Sequence, residues 1–229
     1  MLGNLESMKN IVMTHPVTKH QFLLDFANGK LTRRQVIIWF EQQFYFSISL
    51  PSAFAALYAR VPDKFWQTKQ SLVSLLEVEA WGTNHSAAHS NYFKEVASFL
   101  GIDLEKLTAH EPKQYTKEYV DARFDLCLNP QHKIASGLAS VALGNEFLNL
   151  TIFSAYRKGL HNIPGLEECP VGYFEAHLRD EEADFQVFQS LFDVVAQDEA
   201  DIEDAKQCLV DLLDKRVVFF NMLYQDLLS

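Results

Sequence analysis

Hydrophobic residues recur every three to four positions along most of the chain, which is the spacing of one buried face of an α-helix. The stretches 64–81 and 131–158 are clear examples, and the second contains many small residues that allow helices to approach closely. No stretch shows the strict alternation of apolar and polar residues that indicates a β-strand. The pattern predicts an all-α fold in which residues 1–229 form one bundle of about seven or eight helices.

Residues with special backbone roles divide this pattern into segments. Thr32 and Gln35 have the spacing of a capping box, which predicts that a helix begins there. Pro51 is expected to kink that helix without ending it, because the apolar spacing resumes after the proline. The stretch 102–112 lacks helical spacing and is predicted to be a loop.

The charge and cysteine content limit the classes of partner and compartment. The formal net charge of -10 argues against nucleic acid and anionic membrane surfaces as partners, since both repel an acidic protein. Residues 1–9 lack the pattern of a signal peptide, and no apolar stretch approaches the roughly 20 residues of a membrane span. Three cysteines without metal-type spacing are expected to be reduced thiols. We therefore expect a cytoplasmic protein.

The sharpest candidate for chemistry is a stripe of polar residues near position 180. At about 100° per residue, Glu181 and Asp184 lie within about 40° of His177, so the three side chains share one helix face. Phenylalanines nearby in angle indicate that part of this face points inward, where a carboxylate needs a partner or a metal ion. A solvated acidic face with a capping histidine is the alternative interpretation.

A second candidate is Glu146, a single carboxylate in a nearly uncharged stretch of predicted helix. It is expected to face inward. It would then serve either as a functional group or as the partner of an arginine, for which the chain offers Arg34, Arg60 and Arg123.

The third candidate is Glu79 together with two histidines that follow it. His85 and His89 share a helix face if the helix is regular. The intervening Gly82 leaves the orientation of Glu79 open, and two solvent-facing histidines beside an acidic turn are the alternative. If all three candidates belong to one site, they resemble the di-metal centres that helical bundles build from inward-facing Glu and His side chains.

The order and separation of these residues resemble the heme-oxygenase-like di-metal oxidases. This group shares its fold with thiaminase II and pyrroloquinoline-quinone synthase and includes the CADD-like proteins. Its members have a Glu followed by a His, a pattern matched by Glu79 and His89, with His85 as a rival for the second position. A Glu in the middle of a later helix is matched by Glu146. The resemblance covers nearly the whole chain and implies a heme-oxygenase-like bundle.

The family's last motif, His-x3-Asp-x2-His, is matched with two departures. His177 occupies its first position, but Glu181 stands where the family has Asp and Asp184 where it has His. These carboxylates make the implied site richer in oxygen ligands, which favours harder ions such as manganese.

The resemblance implies a non-heme oxidase or oxygenase that uses dioxygen to oxidise a small organic metabolite. Its cofactor would be two iron ions, or a manganese–iron pair, and a metal-free member of the family stays open. Glu146 and His177 are expected to be catalytic as well as ligands. The implied ligands of one ion are Glu79, His89 and Glu146, and those of the other are His177, Glu181 and Asp184.

Two other functions are compatible with the same scaffold. One is a cofactor-free enzyme similar to thiaminase or quinone synthase, and the other is a non-catalytic interaction protein. A homodimer is expected by analogy with the fold relatives.

Overall fold

Eleven α-helices are present in the part of the chain that the structure, a computed structural model, describes: residues 5–80 and 89–229, apart from the side chain of Glu181. These helices are α1 (Leu5–Thr14), α2 (Gln21–Ala27), α3 (Arg33–Arg60), α4 (Trp66–Glu79), α5 (His89–Leu100), α6 (Leu104–Thr108), α7 (Gln114–Leu128), α8 (Ile134–Val141), α9 (Leu148–Asn162), α10 (Gly172–Val195) and α11 (Glu199–Leu228). Short 3₁₀ turns lie at Pro16–Lys19 and Asp63–Phe65. No β-strand occurs in these residues, which confirms the all-α prediction.

The predicted count of seven or eight helices is too low, and two of the differences have a local cause. Helix α6 lies inside the stretch predicted as a loop, where the Asp103 carboxylate caps it by accepting from the backbone N–H groups of Glu105 and Lys106. A π-helical turn, Ala142–Phe147, divides the predicted long helix into α8 and α9. Hydrophobic spacing over six residues does not distinguish a π turn from an α turn, so the sequence predicted one unbroken helix.

The predicted start and continuity of α3 are confirmed. The Thr32 hydroxyl accepts from the Gln35 backbone N–H, while the Gln35 side-chain oxygen accepts from the Thr32 backbone N–H, which completes the capping box. The helix then runs past Pro51 to Arg60.

The stretch Ile134–Asn162, from α8 through α9, is long and apolar enough to cross a membrane by length and composition, contrary to the expectation from sequence. Most of it is buried among the other helices, as a core helix is. Helices α2, α10 and α11 contact different parts of this stretch. Its apolar composition is therefore explained by packing inside the bundle.

Helices α2 and α9 approach each other closely through two glycines. A Cβ atom on Gly159 would lie 2.2 Å from the Phe26 carbonyl oxygen, and one on Gly29 would lie 2.4 Å from the Asn162 carbonyl oxygen. Gly29 also has a φ of +67°, a left-handed conformation that favours glycine after the end of a helix. Both contacts are with backbone atoms, so neither position has room for a side chain.

Asp25 links α2 to the last helix. Its carboxylate accepts from the Tyr224 hydroxyl and from Gln21, and it lies 2.7 Å from the Lys30 ammonium. The hydrogen bonds from Lys30 and Tyr224 lower the pKa of Asp25 to about 2.

We expect Asp25→Asn to lower the free energy of unfolding at pH 7 by about 1 kcal/mol, a modest value because Lys30 is largely exposed and water screens the ion pair. The folded-state pKa lies below the ordinary value of 3.8, so the stabilisation is present above pH 4 and is lost as the pH falls towards 2. Urea unfolding of both proteins across this range measures the difference. The exposed Asp121→Asn is the control, and a difference that stayed constant down to pH 2 would contradict the assignment.

Candidate metal centre

Three side chains that could hold a metal ion meet between α4, α5 and α10. Glu79, His89 and His177 each offer one ligand atom, and these atoms all lie within 4.8 Å of one another. The three residues are only 6%, 4% and 3% exposed, respectively. Helix α10 contacts both α4 and α5, so it brings the late His177 to the two earlier residues.

Each of these polar residues lies on the buried face of its helix. Glu79 follows the buried Leu75 by four positions, and His89 precedes the buried Phe93 by four positions. Residues four apart share a face, so the packing that buries each apolar residue also turns its polar neighbour inward. The alternatives of a solvated acidic face and of solvent-facing histidines therefore do not apply to His177 and His89.

A backbone hydrogen bond fixes the orientation and the tautomer of His177. Its Nδ1 lies 2.8 Å from the Tyr173 carbonyl oxygen, which can only accept, so Nδ1 carries the proton. The Nε2 atom therefore has a free lone pair, and it lies 3.7 Å from the Glu79 carboxylate. A ring nitrogen held in this way by an outer hydrogen bond is the usual arrangement of a metal-binding histidine.

The Glu79 carboxylate and the His89 imidazole form a buried ion pair at 2.9 Å. Burial alone would lower the pKa of His89, but Glu79, with smaller contributions from Asp184 and Asp180, outweighs burial and raises that pKa. Burial would likewise raise the pKa of Glu79, yet His89, His177 and Arg123 lower it overall. Burial and the charge of His89 lower the pKa of His177 to about 4, so this imidazole is neutral at physiological pH.

Two aspartates on α10 lie at the edge of this group. Burial and the charges of Glu79 and Asp180 raise the pKa of Asp184 to about 6, so its carboxyl group takes up a proton near neutral pH. Asp180 interacts electrostatically with both His89 and His177. The sequence analysis did not select Asp180, although its position three residues after His177 places it on the same helix face.

Glu146 lies on the π turn and is 2% exposed. It accepts a hydrogen bond of 2.7 Å from the Asn145 side-chain amide, whose oxygen accepts from Arg123 at 3.1 Å. Of the three arginines considered as partners, Arg123 is the one that reaches Glu146, through Asn145. Single π turns inside α-helices are frequent at functional sites.

The predicted ligands are thus only partly brought together. Glu79, His89 and His177 form one group, although the sequence assigned His177 to a different ion from the other two. Glu146 and Asp184 lie outside that group but interact electrostatically with its residues or with their neighbour Tyr173. His85 and the side chain of Glu181 lie outside the described residues. The role of all six as ligands stays a prediction.

Comparison with known proteins assigns the chain to a family. Residues 7–226 match the TENA/THI-4/PQQC family. The chain belongs to this family. The resemblance predicted from the Glu and His pattern is therefore confirmed at the level of the family.

The relatives of known name that match this chain are 4-aminobenzoate synthases. The protein of Chlamydia pneumoniae is 26% identical over 186 residues, which cover 81% of this chain and 78% of that protein. The protein of Nitrosomonas europaea is 27% identical over 145 residues, which cover 59% of this chain and 56% of that protein.

Two solved structures show the fold. A TenA homologue from P. horikoshii OT3 has a TM-score of 0.73 at 13% identity, and 96% of each chain is covered. A domain with a heme-oxygenase-like fold from Shewanella denitrificans OS217 has a TM-score of 0.71 at 12% identity, and the match covers 97% of this chain and 89% of that one. These similarities confirm the heme-oxygenase-like bundle.

Proposed function

We propose that this protein is a metal-dependent oxidase that uses dioxygen to oxidise a small organic metabolite. The proposal rests on the buried group of side chains formed by Glu79, His89 and His177, which come from three helices. Two histidines and one carboxylate are the ligand set of many non-heme iron oxygenases, in which the remaining coordination positions stay open for reactants.

The donor atoms of this chain fit a divalent cation. The His177 Nε2 lone pair is available at neutral pH, and its opposite ring nitrogen is held by the Tyr173 carbonyl group. Glu79 supplies a buried negative charge that is compensated by the His89 imidazolium in the metal-free protein. A cation would replace the His89 proton as the partner of Glu79, so binding is expected to release protons.

Glu146, Asp184 and Glu181 are the proposed additional ligands of a second ion. Two buried or half-buried carboxylates near the first three ligands support this assignment, because isolated buried carboxylates are costly without a cation or a hydrogen-bond donor. Asn145 donates a hydrogen bond to Glu146 and so helps to hold its carboxylate in place. The ions would be two irons, or a manganese–iron pair.

In the proposed reaction the metal, when bound, would supply the capacity to reduce dioxygen. The side chains around it would bury the site and exclude water. The site is buried and lined by rings, since Phe153 packs 4.9 Å from the His177 ring and Tyr173 packs 4.5 Å from it. These rings exclude water from the reacting groups.

The names of the relatives indicate which reaction to test first. Proteins called 4-aminobenzoate synthase match this chain, and one of them is matched over 78% of its length. We propose that this protein likewise takes part in 4-aminobenzoate synthesis, and that the reaction occurs at the group of Glu79, His89 and His177.

The test uses protein produced with added iron and purified without oxygen. We expect iron to copurify and be removed by a chelator, and we expect the ferrous protein to consume dioxygen and change its visible absorption. Metal analysis and an oxygen electrode measure these results. If the iron-supplied protein retains no metal and consumes dioxygen no faster than free iron does, the proposal is wrong.

A thiaminase-like mechanism based on a cysteine nucleophile is less compatible with the structure. Burial raises the pKa of Cys127 to about 12 and that of Cys169 to about 11. Burial also raises the pKa of Cys208. A thiol with a raised pKa contains little of the thiolate that attacks an electrophile, so none of the three is an activated nucleophile. Activity that survives both chelation and Glu146→Ala would favour the cofactor-free alternative.

A further inference from the structure

A chain of hydrogen-bonded side chains connects helix α3 to Glu146 through a buried arginine. Arg123 on α7 is 1% exposed. One of its terminal nitrogens donates to the Phe46 carbonyl group at 3.1 Å and to the Ser49 hydroxyl group at 2.6 Å, both on α3. The other donates to the Asn145 amide oxygen at 3.1 Å, and the Asn145 amide nitrogen donates to Glu146 at 2.7 Å. The chain therefore links α3 to the edge of the metal centre.

The guanidinium group of Arg123 determines which way the Asn145 amide points. An arginine side chain can only donate hydrogen bonds, so the atom that faces it must be the amide oxygen. The amide nitrogen then faces Glu146 and donates to its carboxylate. A flipped amide would turn its oxygen, which is a second acceptor, towards that carboxylate. Arg123 thus selects the orientation in which Asn145 stabilises Glu146.

Arg123 is itself held in one place. Its guanidinium carbon lies 4.4 Å from the centre of the Phe46 ring, and its edge bonds to three acceptors. A planar group with a ring against its face and acceptors along its edge cannot rotate without losing several contacts. The position of the Asn145 amide is therefore fixed relative to α3 as well as by the π turn that contains it.

The charge of Arg123 also acts on both buried glutamates of the site. It interacts electrostatically with Glu79 and with Glu146. Both glutamates in turn interact electrostatically with Tyr173, the residue whose carbonyl group holds His177. Glu79 and Glu146 therefore lie near one region of the interior, in which Arg123 supplies positive charge.

We propose that Arg123 and Asn145 are positioning residues that hold the Glu146 carboxylate towards Glu79 and make it available to the second metal ion. This inference rests on the proposed function and adds to it two residues outside the set of ligands. Arg123 acts through Asn145, and Asn145 acts through Glu146. Outer partners of this kind orient metal ligands, and their loss commonly costs roughly 10- to 100-fold in metal affinity.

Arg216 on α11 offers a matched comparison for Arg123. It is also 1% exposed, and the Asn145 amide has no hydrogen bond to it in the described part of the chain. Rings of four residues lie within 5.1 Å of its guanidinium carbon: Phe46, Tyr119, Phe219 and Phe220. The Phe46 ring thus contacts both arginines. Replacing Arg216 removes a similar buried charge without removing a partner of Asn145.

Titration of the 229-residue chain with Mn²⁺ tests the proposal. Electron paramagnetic resonance distinguishes free from bound Mn²⁺, and we expect the parent protein to bind two ions. Asn145→Leu keeps the size of the side chain but removes its hydrogen bonds. We expect this variant to bind the second ion at least roughly tenfold more weakly and the first ion as the parent does.

Arg123→Met is expected to weaken the second ion by a similar factor, because the Asn145 amide is then free to flip. The loss of a positive charge alone would have the opposite effect, since it would favour the binding of a cation. A weaker second ion therefore reports on the position of Glu146 and not on the net charge. Arg216→Met should bind both ions as the parent protein does.

Crystal structures of the metal-free parent protein and of metal-free Asn145→Leu separate this inference from the proposed function. We expect Glu146 to adopt a different rotamer in the variant, because the amide that holds its carboxylate is gone. If the parent protein bound no Mn²⁺ but Glu146 moved in the variant, the proposed metal centre would be contradicted and the positioning of Glu146 by Asn145 would be supported.

Two results would overturn the inference. One is a Glu146 rotamer that is unchanged in metal-free Asn145→Leu. The other is parent-like affinity for the second ion in both folded variants, Asn145→Leu and Arg123→Met. If Arg123→Met does not fold, Asn145→Leu decides the question by both measurements. Circular dichroism reports whether each variant is folded.

Discussion

His177→Ala and Glu79→Gln are each expected to abolish stable metal binding and the oxidation that depends on it. His177 is the imidazole whose lone pair is free at neutral pH, and Glu79 lies within reach of both histidines. Loss of only an outer partner of a metal ligand commonly costs 10- to 100-fold in affinity. We therefore expect the loss of a ligand to cost at least about 100-fold. Metal content after dialysis and dioxygen consumption measure the effect.

The two variants need controls of the same residue type. His161→Ala replaces an exposed histidine of α9, and Glu95→Gln replaces an exposed glutamate of α5. Both controls should retain the metal content and activity of the parent protein. Glu79→Gln is nearly isosteric, so a loss of metal without a loss of helical circular dichroism reports on ligation and not on folding. Parent-like metal content in both site variants would refute the assignment of these ligands.

Gly159→Ala is expected to have the largest effect on stability. The added Cβ atom would lie 2.2 Å from the Phe26 carbonyl oxygen and 2.3 Å from the Phe26 ring, so the backbones of α2 and α9 must move apart. Overpacking of this kind costs about 3 kcal/mol or more, which exceeds the gain in helix propensity of about 1 kcal/mol. The net loss of about 2 kcal/mol or more should lower the melting temperature of the metal-free protein by at least roughly 4–8 °C.

Gly172→Ala is the matched control for this prediction. The three atoms nearest to a Cβ atom at Gly172 all belong to the Tyr92 side chain, the closest at 3.0 Å, and that ring can shift. We expect a change within about 1 kcal/mol for Gly172→Ala. Similar melting temperatures for the two alanine variants would show that α2 and α9 can separate at little cost.

The inward orientation of His177 could be predicted because it depends on local geometry. One regular helix contains the residue, and the phenylalanines around it fix the buried face. The orientation of Glu79 could not be predicted, since it depends on how α4 packs against α5 and α10 and not on the spacing within α4. The sequence therefore identified the three residues without showing that they lie together, and the assignment of each to one ion or the other stays a prediction.

The environments of Glu146 and Arg216 required tertiary structure. The choice of Arg123 over Arg34 and Arg60 depends on the Asn145 amide, whose position is set by a turn that the hydrophobic pattern does not reveal. Arg216 lies three or four positions from Leu212, Leu213, Phe219 and Phe220, so helical spacing places it on the apolar face of α11, which was a usable sequence signal. Spacing alone could not show that four aromatic rings surround it, because Phe46 and Tyr119 come from distant helices.

The π turn at Ala142–Phe147 has a consequence for the evolution of this chain. A π turn contains one residue more than the α turn it replaces, so the loss of one residue there restores a regular helix without breaking it. Such a deletion would rotate Glu146 relative to α9 while leaving the ends of the stretch connected. An alignment of relatives should therefore place single-residue gaps at this turn. Relatives without the gap would keep a carboxylate that points into the interior, and relatives with the gap would have it pointing elsewhere.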